Sequence, residues 1–260
     1  MKIDISRITS KLLLVSIIVT INFSLFWACK KELTQADIII NECIEAHGGE
    51  NFNQINIGFD FRDKHYNLQK NGNEYFYERI AKDTVGVVTK DIFTNTKFER
   101  TLAGKSAPLA DSMVLKYKNS INSVIYFMLL PQPLNDAAVQ KKYLGESSIG
   151  GQKYHKIEVQ FNEENGGKDH EDIYVYWINQ ITKTMDYFAY SYKVDGGGIR
   201  FREAIKAETI AGVRYQNYIN YSPIDSTYTL QNLDKAFTEG KLRELSRIEN
   251  INIIATPKDK

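Results

Sequence analysis

The chain has 260 residues, 33 basic against 32 acidic, for a formal net charge of +1, and 43% of its residues are hydrophobic. That length suits one sizeable core, and a near-neutral chain without a long basic block offers no electrostatic case for nucleic-acid binding. The 16 tyrosines and 13 phenylalanines favour pleated, half-buried surfaces.

Lys2, Arg7 and Lys11, set against Asp4, make a basic start, and residues 12–28 form an apolar run broken only by Ser16, Thr20, Asn22 and Ser24. This is the length of a signal-peptide core and slightly short for a bilayer-spanning helix. The run stops at Ala28-Cys29-Lys30-Lys31, a small residue before a cysteine with charge at once after it. The stretch resembles the bacterial lipobox, with Phe26 and Trp27 where that motif usually has aliphatic and small residues. The resemblance implies a signal peptide over residues 1–28, diacylation of Cys29 as the new N-terminus, and attachment to a membrane. Residues 29–34 then read as a tether and 35–260 as a single domain. Losing three basic residues and one acidic residue takes the charge from +1 to −1. With Cys29 lipidated, Cys43 is left alone, so no intramolecular disulfide is expected. Lys30 is not the aspartate that holds lipoproteins at the inner membrane in the best-known sorting rule, so the expected address is the outer membrane.

Thr34 and Asp37 read as a helix start. Ala36, Ile39, Ile40, Cys43, Ile44 and His47 share one helical face, which makes Cys43 a buried structural thiol. Gly48-Gly49 ends the helix, with His47 at its carboxyl end, where positive charge is favoured. From Ile55 the period changes to two: Ile55, Ile57, Phe59 and Phe61 alternate with Asn56, Gly58, Asp60 and Arg62. Further strands are predicted at about 64–70, 74–81, 84–93 and 96–102, with Asn71-Gly72-Asn73 as a hairpin turn. Residues 111–130 break this rhythm with a predicted helix whose second half, Val124 to Leu130, is apolar all round and therefore buried. Pro131-Gln132-Pro133 stops it, and Asp136 to Lys142 reads as one more helical turn. Strands resume at about 143–149, 153–162, 171–179, 183–192, 198–208, 212–221 and 226–231, with one last strand over 244–254. The turns Gly150-Gly151, Asn165-Gly166-Gly167 and Asp195-Gly196-Gly197-Gly198 separate them. The expectation is ten to twelve antiparallel strands, an N-terminal helix and one inserted helix, without the alternation that marks a parallel sheet.

Several segments together resemble a family of uncharacterised Gram-negative lipoproteins: Ala46-His47-Gly48-Gly49, Tyr126 to Asp136, Tyr143-Leu144-Gly145-Glu146, Asp172 to Tyr176, and Gly198 to Glu203. That family is similar in layout to the periplasmic lipoprotein carrier and its outer-membrane receptor, the LolA and LolB type. The resemblance implies a mainly β fold, a strongly curved antiparallel sheet forming a half-open barrel, with an N-terminal helix and an inserted lid or plug helix. It also implies a lipid or lipoprotein acyl chain as the ligand.

The candidate wall of such a cavity is Ile121, Val124, Ile125, Phe127, Met128 and Leu129 on the inserted helix. Each methylene moved out of water contributes about 0.8 kcal/mol, so a chain of about sixteen carbons would need few polar contacts. The alternative is a helix that fills the concavity, leaving a structural lipoprotein that binds another envelope protein. Arg200 and Arg202 share a strand face and could contact a lipid phosphate or a partner's carboxylate, the plainer expectation being pairing with Glu158 or Asp172. His170 and Asp172 are weak candidates for a divalent cation, since no second His or Cys stands near, and a solvated strand entrance is the simpler reading. No catalytic set stands out: His47, His65, His155 and His170 have no motif partner, and there is no Gly-x-Ser-x-Gly elbow. No cofactor is expected.

Overall fold

The computed structural model describes residues 32–258 apart from Asn73, 163–171 and 194–195. The chain divides into two units, residues 1–34 and 35–260. The second unit has fourteen strands and three α-helices among its described residues. The expected signal peptide, Cys29 and His170 lie outside the described residues.

Helix α1 (Gln35–Ala46) buries Ala36, Ile39, Ile40, Cys43 and Ile44, the face its periodicity predicts. Burial pushes the Cys43 thiol well above its ordinary range, as an inert packing residue requires. Gly48 follows at φ 129°, and a Cβ there would lie 2.7 Å from the Gly212 carbonyl. Only glycine lets the helix end approach the turn around Gly212 this closely. The Arg214 amide donates to the His47 carbonyl at 2.8 Å in the same place. His47 does not carry the positive charge expected of a helix terminus. Its Nε2 accepts from the Met185 amide at 3.1 Å, and burial, aided by Arg214, lowers its pKa to about 3.

The strands form two antiparallel seven-stranded sheets. The first is ordered β14-β1-β2-β3-β4-β5-β6, built from β1 (Ile55–Phe61), β2 (Lys64–Asn71), β3 (Glu74–Lys82), β4 (Val88–Thr94), β5 (Phe98–Leu102), β6 (Lys105–Ser106) and β14 (Asn250–Pro257). The second is ordered β13-β12-β11-β10-β9-β8-β7, built from β7 (Val139–Ile149), β8 (Gln152–Phe161), β9 (Tyr174–Asn179), β10 (Met185–Tyr192), β11 (Gly198–Ile210), β12 (Val213–Pro223) and β13 (Leu242–Ile248). Gly150 and Gly151, at φ 57° and 80°, make the two-residue turn between β7 and β8.

Three expectations are corrected. The last strand, predicted over 244–254, is two strands in different sheets, joined through Glu249. Hydrogen bonding decides this, because β13 pairs with β12 while β14 pairs with β1. Asp136 to Lys142 is no helical turn. A 3₁₀ turn at Gln132–Asn135 precedes it, and β7 already pairs at Val139 with Phe161. Residues 226–231 do not form a strand but lead through a 3₁₀ turn into helix α3 (Leu233–Thr238). That helix covers the outer face of the second sheet, where Leu230, Leu233 and Ala236 pack with Trp177, Ala189 and Phe201. With Tyr176 and Ile178 packed on the other face, all six residues of β9 are buried.

The two sheets are thus joined at a seam where the chain passes from β13 to β14 through Glu249, and the distal edges, β6 and β7, are not paired with each other. This is the mainly β, half-open curved architecture that the sequence resemblance implies. Helix α2 (Asp111–Leu129) connects β6 to β7. Among the described residues no helix is long and apolar enough to cross a membrane.

Candidate functional site

Helix α2 begins with Asp111 in its first turn and ends where Leu130 turns extended before Pro131. Ile121, Ile125, Met128 and Leu129 recur at i, i+4, i+7 and i+8 and pack with Phe59, Tyr66, Leu68 and Tyr77 of the first sheet. Tyr126 and Phe127 face the second sheet. Phe127 lies 5.7 Å from both the Phe188 and the Tyr190 ring, and the Tyr126 hydroxyl lies 3.4 Å from that of Tyr176. The helix is therefore a wedge with an apolar contact on each side.

The wedge does not fill the concavity. A cavity of about 290 Å³ lies beside its C-terminal half, at the seam of the two sheets. Its apolar wall is formed by Phe61, Val124, Phe127, Met128, Tyr218 and Ile248, and its polar wall by Arg202, Asn220 and Ser246. The exposed residues Arg62 and Ser123 also line it and mark the opening.

Strand register builds the polar wall. Tyr176 pairs with Phe188, Phe188 with Arg202, Arg202 with Asn220, and Asn220 with Ser246. One residue from each of five adjacent strands thus forms a transverse row, aromatic at one end and polar at the other. Arg202 sits at the change. It is 7% exposed, and its guanidinium carbon lies 4.1 Å from the Phe127 ring centre and 5.2 Å from those of Phe188 and Tyr190. Such contacts supply about 2 kcal/mol or more when desolvated, yet leave most of the five guanidinium donors unsatisfied. Nη2 donates to the Tyr190 hydroxyl at 3.0 Å, while Nε is buried with no acceptor. The Asn220 Oδ1 is likewise a buried acceptor without a donor, and its Nδ2 reaches Ser246 Oγ only at 3.4 Å. The Tyr218 hydroxyl accepts from Gln216 at 2.9 Å, and burial pushes its pKa up to about 12, so it stays protonated.

Of the helix residues singled out from sequence, Val124, Phe127 and Met128 line the cavity. Ile121, Ile125 and Leu129 belong instead to the core against the first sheet. Arg200 does not line it: its guanidinium stacks on Tyr192 at 4.9 Å, and Nη1 donates to the Ile199 carbonyl. Neither arginine pairs with Glu158, which accepts from Gln231 at 2.9 Å. Asp172 lies half-buried just before β9. Among the described residues no group of three or more His, Cys, Asp or Glu side chains could hold a metal ion. Sequence reasoning missed Phe61, Tyr218, Asn220, Ser246 and Ile248. Alternation along β12 places Tyr218 and Asn220 on one face, but nothing local says that this face meets α2.

Fold and site together define a half-open β-barrel protein with a wedge helix and an apolar cavity carrying one buried charge. Residues 15–250 match DUF6503, a family of unknown function, and the chain belongs to that family. No curated protein matches the chain. Among solved structures it is similar to a LolA superfamily protein from Nitrosomonas europaea, at 13% identity over 88% of this chain and 96% of that one, with a TM-score of 0.46. It is also similar to a DUF1329 family protein from Desulfovibrio piger, at 8% identity over 85% and 93% of the respective chains, with a TM-score of 0.46.

Proposed function

We propose that this chain is a lipid-anchored protein of the cell envelope, tethered through Cys29, that holds one acyl chain in the cavity between α2 and the sheet seam. The observation that carries the reading is the cavity itself: about 290 Å³ walled by Phe61, Val124, Phe127, Met128, Tyr218 and Ile248. This space has room for a chain of about ten carbons. A chain of that length gains about 8 kcal/mol gross from burying its methylenes, part of it offset by the entropy of association.

The interaction alternative needs an exposed apolar patch. Val85 and Ile181, each 82% exposed, are the most exposed large apolar side chains described, and they stand singly in turns. The test is photolabelling of the full chain in lipid nanodiscs with a neutral, diazirine-bearing ten-carbon alcohol. Label is expected on peptides containing Val124 to Met128 and Tyr218 to Ile248, and Val124→Trp, which fills the cavity, is expected to abolish it. Label spread evenly over the surface and unchanged in Val124→Trp would sink the cavity reading and favour the interaction module.

A further inference from the structure

Arg79, the other buried arginine among the described residues, comes with a carboxylate, as do the half-buried Lys141 and Lys156. Arg79, 6% exposed, pairs with Asp91 at 2.7 Å. Lys141 pairs with Asp37 at 3.0 Å, and Lys156 with Asp234 at 3.3 Å. Arg202, 7% exposed, makes no ion pair with any described residue, and among those residues its one side-chain acceptor is the Tyr190 hydroxyl. It lines the cavity instead. A guanidinium offers two parallel donors that match the two oxygens of a carboxylate, and among the described residues no carboxylate meets this fork, of which Nη2 is bonded to the Tyr190 hydroxyl.

We propose that the cavity receives a single-chain carboxylate amphiphile of about ten carbons, and that Arg202 binds its head. The inference rests on the acyl-chain reading above and narrows it from apolar chains in general to anionic ones. A neutral chain would leave the guanidinium desolvated without a counter-charge, and a cationic head would be repelled by it. The neighbouring Asn220 can assist. Turned over, its Oδ1 would accept from the Ser246 hydroxyl and its Nδ2 would donate to the acid, which also removes the unsatisfied acceptor. The exposed Arg62 at the opening adds a second positive charge on the path of an incoming anion. The volume of about 290 Å³, beside Phe127 stacked over Arg202, suits a single tail.

The test is competition against the photolabelled full chain in nanodiscs, comparing decanoate with decanol at matched free concentrations. Decanoate is expected to displace the neutral probe at least tenfold better than decanol. In Arg202→Met, the preference for decanoate over decanol is expected to be lost. Equal competition by acid and alcohol in the unaltered protein, a comparison that depends on no variant, would overturn the role of Arg202 and leave the acyl-chain reading intact. So would an acid preference that persists in Arg202→Met. Absence of site-specific label by the neutral probe would instead remove the acyl-chain reading, and this inference with it.

Discussion

Two buried arginines in this molecule solve the same electrostatic problem differently. Arg79, on β3, and Arg202, on β11, are 6% and 7% exposed. Arg79 donates from Nε and Nη2 to Asp91 Oδ2, at 3.1 and 2.7 Å, and from Nη1 to Ser120. Arg100 completes the cluster, bonded to both Asp91 oxygens at 2.6 and 2.9 Å and stacked 3.7 Å over Tyr117. Its side chain is held more firmly in the charged form by that carboxylate. Arg202 has aromatic faces, one tyrosine hydroxyl and a cavity. A buried charge with a built-in counter-ion fastens the fold, whereas one facing a cavity without a counter-ion is available to a ligand.

The contrast can be broken most forcefully at Asp91. Asp91→Asn leaves two enclosed guanidinium groups without a counter-charge, and removing one partner of a buried pair costs about 3–5 kcal/mol. Urea unfolding followed by circular dichroism is expected to show a loss of that size. A loss under about 1 kcal/mol would mean that the cluster is wetter than its burial implies.

His47 shows a third solution, which is to give up the charge. Its folded pKa of about 3 lies below the ordinary histidine value of 6.5. Between those values the unfolded chain binds more protons, so stability is full above about pH 6.5 and falls as pH drops towards 3. From pH 7 to pH 5 the expected loss is about 2 kcal/mol. His47→Asn should flatten that slope in urea titrations at the two pH values, and an unchanged slope would assign it to other groups.

Arg202→Met is expected to change the stability of the ligand-free protein by no more than about 1 kcal/mol, or to raise it, because an apolar side chain of similar volume replaces an uncompensated charge. A loss as large as that for Asp91→Asn would show that Arg202 fastens the fold as Arg79 does. The smallest effect is expected at an exposed pair. Lys97→Ala removes the 3.0 Å contact to Glu99, both side chains being about half exposed, and should shift stability by less than about 0.5 kcal/mol.

Much of the fold was legible because its signals are local. The helical face Ala36-Ile39-Ile40-Cys43-Ile44 and the alternation of Ile55, Ile57 and Phe59 are read within a few residues, and both are buried as expected. The misread segments are those where neighbours decided. Tyr228 and Leu230 alternate like a strand, yet Leu230, Leu233 and Ala236 find their partners in Trp177 and Phe201, and the chain coils onto the sheet. The Gly240 that follows α3 at φ 67° was the available signal for a helix end. At Glu249 no glycine or proline marks the break between β13 and β14.

The cavity belongs to the second kind of information. The pattern along α2 established that its C-terminal half is buried, and which residues were candidates for a wall. It could not divide them, because Ile121, Ile125 and Leu129 differ from Val124, Phe127 and Met128 only in which sheet meets each side of the helix. By itself the sequence determined the period of each element, the turns between most of them and the apolar helix placed among strands. The tertiary structure decided that Tyr176, Phe188, Arg202, Asn220 and Ser246 form one row, and that among the described residues no carboxylate pairs with Arg202. Periodicity is a property of neighbours along the chain, whereas register across five strands, and the space left beneath a helix, depend on residues far apart in it.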